Sequence, residues 1–213
     1  LSFAFASTSI TQEGDEVVEG ARSHMSYMDL TGLPGLAAEG SRSMTHMLYG
    51  ASGPTVLTNE SGEAATDAVT LPSAWDITSC TDMTYAFAYM EGIESASLHD
   101  LGVATDASHA FEGMQSAKTI SLTSTDTDAI RSYTAMNYMF AGCAALETLD
   151  LRGVGTSQIR GSVDADGVAY TDMRHLFDGC DVLNGQTPGD PRISIGPAFT
   201  KVVNGFFSDR ENV

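Results

Sequence analysis

Apolar residues in this chain recur in two rhythms that take turns. In the stretch MNYMFAGCAALETLDL, Met136, Met139, Phe140 and Cys143 stand at i, i+3, i+4 and i+7, the spacing of one face of a two-turn helix. Leu149 and Leu151 then alternate with Thr148 and Asp150, which predicts a short half-buried strand. The same order is written again downstream, with Met173, Leu176, Phe177 and Cys180 leading to Ile193 and Ile195. Upstream, Met83, Ala86, Phe87 and Met90 lead to Ala96 and Leu98, and Ala107, Ala110, Phe111 and Met114 lead to Ile120 and Leu122. Weaker copies flank these four: Met44, Met47, Leu48 and Ala51 before Val69 and Leu71, a degenerate one at Met25 and Met28, and Val203, Phe206 and Phe207 near the end.

A unit of this length cannot bury its apolar face alone and must do so against its neighbours. The expected fold is therefore an α/β solenoid, a leucine-rich-repeat-like stack of about five to seven coils, each a short helix plus a short strand in a parallel sheet. The fragments AVTL, SASL, TISL, ETLDL and RISI are the expected strands, about 4.8 Å apart. Residues 1–20 are expected to be an N-terminal cap strand region, residues 21–207 the stack and residues 208–213 a tail. The copies are unevenly spaced, and the surplus falls in segments rich in Gly, Pro, Ser, Asp and Thr at 52–67, 152–172 and 184–192, which predicts loops.

The phrase carried by Met136, Met139, Phe140, Gly142, Cys143, Leu146, Leu149, Asp150 and Leu151 resembles the repeat of BspA-like leucine-rich-repeat proteins, the short bacterial surface-protein repeat of the mycoplasma and Listeria lipoprotein-associated type. TDMRHLFDGC and TDMTYAFAYM are similar to the same phrase. The resemblance implies a cell-surface or secreted module used in adhesion or recognition. It implies no catalytic residue, because the matching positions are the buried ones.

Charge sharpens this picture. With 28 Asp and Glu against 10 Lys and Arg, the net charge of −18 repels phosphate backbones and anionic membranes, so no nucleic-acid partner is expected. No run reaches the roughly 18 apolar residues of a membrane span. Three cysteines, Cys80, Cys143 and Cys180, form no C-x-x-C pair, and their odd number excludes a complete disulfide framework. Cys143 and Cys180 occupy the step that Met90 and Met114 occupy in earlier copies, which predicts buried thiols acting as small core residues; a disulfide between stacked cysteines is the alternative.

Two residues past each leading position runs a column of Tyr27, His46, Tyr85, His109, Tyr138 and His175. On a helix these positions lie about 200° from the apolar face and would form an exposed ridge. The ridge either shields the row by ring stacking or serves as the binding surface for a partner protein or glycan. On the sheet, Thr70, Ser97, Ser121, Asp150 and Ser194 are expected to point outward. Asp126 with Asp128, and Asp164 with Asp166, are fragments of calcium loops that lack the closing Glu. Asn59 begins a glycosylation sequon in an expected surface loop.

No nucleophile–base motif, phosphate loop or H-E-x-x-H is present, so no catalytic residue, cofactor or metal is expected. The sequence thus leads to a non-enzymatic, extracellular or cell-surface recognition or adhesion module. Its alternative is a structural subunit that polymerises through its ends or faces into an extracellular fibre or surface layer.

Overall fold

The computed structural model describes residues 11–13, 16–18, 28–29, 42–60, 67–71, 80–101, 106–125, 132–156, 171–184 and 193–195. The first described elements are an antiparallel pair, β1 (Thr11–Glu13) and β2 (Glu16–Val18). Next come β3 (Met28–Asp29), β4 (Arg42–Ser43), β5 (Val56–Thr58), β6 (Ala68–Thr70), β7 (Cys80–Asp82), β8 (Ser95–His99) and β9 (Thr119–Thr123). After these stand β10 (Ser132–Tyr133), β11 (Thr148–Leu151), β12 (Gly155–Thr156), the four-residue helix α1 (Asp181–Asn184) and β13 (Ile193–Ile195).

Seven strands pair in one parallel sheet, in the order β3–β6–β5–β8–β9–β11–β13. Alternation decides their faces. Ala96 and Leu98, Ile120 and Leu122, and Leu149 and Leu151 point inward and are buried, while the residues between them lie outward. Of the expected outward residues, Ser97, Ser121 and Asp150 are part-exposed and Ser194 exposed, but Thr70 is buried at 7% exposure. The segment 52–67, expected to be a loop, contributes β5, which inserts between β6 and β8 with Leu57 facing the core. A strand of three residues with one inward side chain, set among Gly, Pro and Ser, leaves no periodicity to read.

The segments expected to be helices are not helical, and this overturns the helix-plus-strand, leucine-rich-repeat-like solenoid. Among the described residues the one helix is α1. From Met136 to Cys143 the chain instead makes successive β-turns, and its N–H groups find partners alternately in two places. Met139 N–H donates to Met136 O at 3.2 Å and Cys143 N–H to Phe140 O at 3.2 Å, each closing a four-residue turn. Tyr138, Phe140 and Gly142 N–H donate instead to Arg174, Leu176 and Asp178 carbonyls of the following copy, at 3.1, 3.2 and 2.6 Å. The copies from Met44, Met83 and Ala107 bond forward in the same way. An α-helix would satisfy these donors within itself and leave nothing to join the copies.

The misreading has a geometric cause. Two consecutive four-residue turns that bury their first and fourth residues place apolar side chains at i, i+3, i+4 and i+7, the same set that a 3.6-residue helix buries. Apolar spacing alone cannot separate the two over eight residues.

Between the sheet and the turn rows lies a single core. Phe87, Phe111, Phe140 and Phe177 stack through it with ring centroids 5.3, 5.7 and 6.1 Å apart. Each such side chain taken from water is worth about 1.5–3 kcal/mol, so the Phe column is a main source of cohesion between copies. Of the expected cap strand region 1–20, residues 11–13 and 16–18 are the pair β1–β2 and the rest lies outside the described residues, as do the last copy at Val203, Phe206 and Phe207 and the tail 208–213.

Candidate functional site

Each of the five described turn segments holds its third residue in the left-handed region. His46, Tyr85, His109, Tyr138 and His175 have φ of 55, 56, 60, 57 and 60°. A turn whose third residue alone takes positive φ is type II, where glycine is the usual occupant. Four residues further on, the second positive-φ position is Gly50, Gly113, Gly142 or Gly179, and Tyr89 in one copy. A side chain in this conformation costs roughly 1–2 kcal/mol. What offsets it is on the neighbouring copies.

The five rings form one continuous stack. Centroid separations are 4.8 Å for His46–Tyr85, 4.3 Å for Tyr85–His109, 4.8 Å for His109–Tyr138 and 4.5 Å for Tyr138–His175, with interplanar angles of 21, 14, 7 and 11°. Stacked pairs contribute about 0.5–1.5 kcal/mol beyond area burial, and an interior rung has two of them. The column expected to be an exposed ridge is therefore a half-buried ladder whose ring faces cover one another and whose edges reach solvent. Tyr27 lies outside the described residues.

Carboxylates flank the ladder. His109 Nδ1 lies 2.6 Å from Glu112 Oε2, and His175 Nδ1 lies 2.7 Å from Asp178 Oδ2. Glu112 also accepts from Tyr89 Oη at 2.8 Å, and burial together with that bond raises the Tyr89 phenol well above its ordinary value. His46, with its Nδ1 buried, has its pKa lowered by burial despite the nearby Asp82. At the entrance to three of the five described turn segments an Asp carboxylate accepts the N–H two residues on: Asp82 from Thr84, Asp106 from Ser108 and Asp172 from Arg174, at 2.9, 2.9 and 3.1 Å, and Ser43 Oγ does the same for Thr45 at 3.2 Å. Burial pushes the Asp82 and Asp172 carboxyls up, but hydrogen bonds from the side chains of Thr84 and Arg174, joined by those from their backbone N–H groups, outweigh it and hold both below the usual value. The signal for this role was the recurring Thr-Asp before the leading residue.

Cys143 and Cys180 are packing residues. Cys143 and Cys180 are free and fully buried, and their thiols donate to the carbonyls of Phe111 and Phe140, one copy back, at 3.3 and 3.1 Å. Burial pushes Cys180 up to about 12 and Cys143 higher still, the opposite of what a reactive thiolate needs. The side chain of Cys80 and the acids Asp126, Asp128, Asp164 and Asp166 lie outside what the structure describes. Among the described residues no three His, Cys, Asp or Glu side chains are grouped to hold a metal. In the same residues no helix is long and apolar enough to cross a membrane.

Asn59 corrects the sequon. It is 4% exposed rather than displayed on a loop, its Nδ2 donates to His99 O at 2.7 Å, and its Oδ1 accepts from His99 N–H at 2.8 Å. That two-way bond ties the end of β5 to the end of β8. Beside it, sequence reasoning missed a polar cluster on the outer rim of the sheet. His99 Nε2 lies 2.6 Å from Glu60 Oε1, which also accepts from Ser97 Oγ at 3.1 Å, while His99 Nδ1 bonds Thr123 Oγ1. These residues come from three strands and carry no local motif.

No protein-family model, curated protein or solved structure matches this chain, so what it does is read from this geometry alone.

Proposed function

We propose that the chain is a non-enzymatic recognition or adhesion module, secreted or displayed at the cell surface, that binds a partner through the edge of the His–Tyr ladder. The observation that carries this reading is the ladder itself: His46, Tyr85, His109, Tyr138 and His175 are locked in register by stacking, so their outward edges form a rigid ridge with little rotamer entropy left to lose on binding. Aromatic side chains held in this way are the usual anchors of protein interfaces. The acidic balance of the chain favours a neutral or basic partner. The likeness of the Met136–Leu151 phrase to the BspA-like surface-protein repeat supports the location.

The test must keep the rings while changing their edges, because removing rings would damage the stack. Tyr85→Phe with Tyr138→Phe deletes two hydroxyls, and His109→Tyr replaces an imidazole edge. Labelled wild-type protein is expected to bind its target cells or matrix at least tenfold more tightly than the triple variant, with equal melting temperatures. Equal binding would remove the ladder from the interface.

A second reading, a subunit of a fibre or surface layer, is favoured by apolar exposure at the far side of the described sheet. There β13 is the outermost of the described strands, and Val182 and Ile195 are 40% and 45% exposed. Size-exclusion chromatography across a hundredfold concentration range, with electron microscopy of the same samples, decides between the two. A concentration-independent monomer leaves the recognition module, and ordered filaments replace it.

A further inference from the structure

The rim of the sheet carries chemistry that the ladder does not. In register along neighbouring strands lie Ser97, Ser121 and Asp150, and one step further toward the strand ends His99 pairs with Thr123. Glu60 extends this outer row from β5 and Arg152 from β11, where Gly153 N–H donates to Leu122 O at 2.8 Å and brings Arg152 to the same rim. The row thus presents carboxylate, imidazole, hydroxyl and guanidinium on successive strands.

Two properties of the row restrict its ligand. Its carboxylates are already engaged: Glu60 by His99 at 2.6 Å and Ser97 at 3.1 Å, and Asp150 by Arg152 through Nε at 2.9 Å to both oxygens and Nη2 at 2.5 Å to Oδ2. On a molecule of net charge −18 anionic ligands are repelled, and carboxylates held in this way offer little to a cationic one. Its groups are also ordered beforehand, since each is held by a neighbour, so little ordering cost remains. Donors and acceptors alternate at the strand spacing of about 4.8 Å. A ligand that fits is neutral, extended, and carries groups that both donate and accept at a similar repeat.

We infer that this rim, Glu60, Ser97, His99, Thr123, Asp150 and Arg152, binds a neutral polysaccharide, whose hydroxyls meet both demands and whose sugar repeat is close to the strand spacing. The ladder is a poor sugar platform by comparison, because its ring faces are covered by one another and only edges remain for contact. The inference rests on the recognition reading and places the glycan on the sheet side of the core, leaving the ladder for a protein.

The test is affinity electrophoresis of the full chain in gels containing laminarin, xylan or mannan, with the anionic polymer alginate as the counter-case. At least one neutral polymer is expected to retard the protein, and His99→Ala with Arg152→Ala to weaken that retardation at least tenfold. Ser121→Gln, which only raises a side chain from the face, should weaken it as well, so the result does not hang on one variant that fails to fold. The ladder variant Tyr85→Phe with Tyr138→Phe should be retarded like the wild type. Retardation by alginate alone, by no polymer, or equally in the rim variants would overturn the inference. Cell or matrix binding that depends on the ladder, together with no retardation by any neutral polymer, would overturn the inference while leaving the recognition reading intact.

Discussion

Tyr138 shows how much a single residue does here. Its backbone sits at φ 57° and its ring lies between those of His109 and His175. Tyr138→Ala keeps the backbone penalty and loses both stacks, for an expected cost of about 2–3 kcal/mol. Tyr138→Gly loses the same stacks but relieves the penalty, so it should be about 1 kcal/mol less damaging. Denaturant midpoints of the pair measure the difference, and the reverse order would mean that stacking does not hold this turn. Cys143 and Cys180 act at the same scale. Both thiols have folded pKa values above the ordinary 9 of a cysteine, so their neutral form stabilises the fold fully below pH 9. As pH rises from there toward 12 that contribution is lost, at up to about 1.4 kcal/mol per pH unit for each thiol. The variant with Cys143→Ala and Cys180→Ala should therefore melt with a shallower dependence on pH in this window.

At the scale of an element, the turn segment is a ribbon that hydrogen-bonds half to itself and half to the next copy, and its glycines divide by what surrounds them. A Cβ at Gly142 would meet Gly113 Cα at 3.4 Å, an ordinary contact, so Gly142→Ala should cost only the backbone term of about 1 kcal/mol. At Gly113 the same atom would come within 2.5 Å of the Tyr89 ring, which must move and strain its bond to Glu112. At Gly153 it would lie 2.3 Å from the Thr123 carbonyl carbon and 2.7 Å from Ser124 N, backbone that cannot turn aside. Thermal melts of the three alanine variants should fall in that order, with Gly153→Ala worst at about 3 kcal/mol or more. The sheet side has its own clasp, and Asn59→Ala, which strands both polar groups of His99 at the strand end, should cost about 1–3 kcal/mol.

Across the whole molecule, one core runs between a parallel sheet and the turn rows, so each copy depends on its neighbours for both burial and backbone hydrogen bonds. Truncating the core stack should therefore be felt beyond one copy. Phe111→Ala, which removes a ring lying between Phe87 and Phe140, is expected to destabilise by about 3–5 kcal/mol. Hydrogen exchange should then show loss of protection in the copies on both sides, and loss confined to residues 106–125 would mean that the copies fold independently. The two outward surfaces differ in character, with ring edges and flanking acids on the turn side and a polar rim of mutually hydrogen-bonded groups on the sheet side.

By itself the sequence determined most of the core, because inward positions must be apolar whatever backbone carries them, although Ile195 follows the same pattern and is 45% exposed. Met136, Phe140 and Cys143 are legible in MNYMFAGCAALETLDL, as are the strand faces around Ala96, Ile120 and Leu149. It also determined the column from His46 to His175, since the same place in each copy puts equivalent residues in line whatever the length of the loops between them. The local backbone was beyond its reach, because a pair of turns and two turns of helix bury the same positions. The Gly at the seventh place of the phrase was the one dissenting sign, since glycine is costly inside a helix and free at positive φ. Only the tertiary structure decided that the rings stack face to face, that β5 joins the sheet, that Asn59 is buried, and that Glu60, His99 and Thr123 meet. Each of those facts depends on contacts between residues more than 20 positions apart or on a neighbouring strand, which no local pattern records.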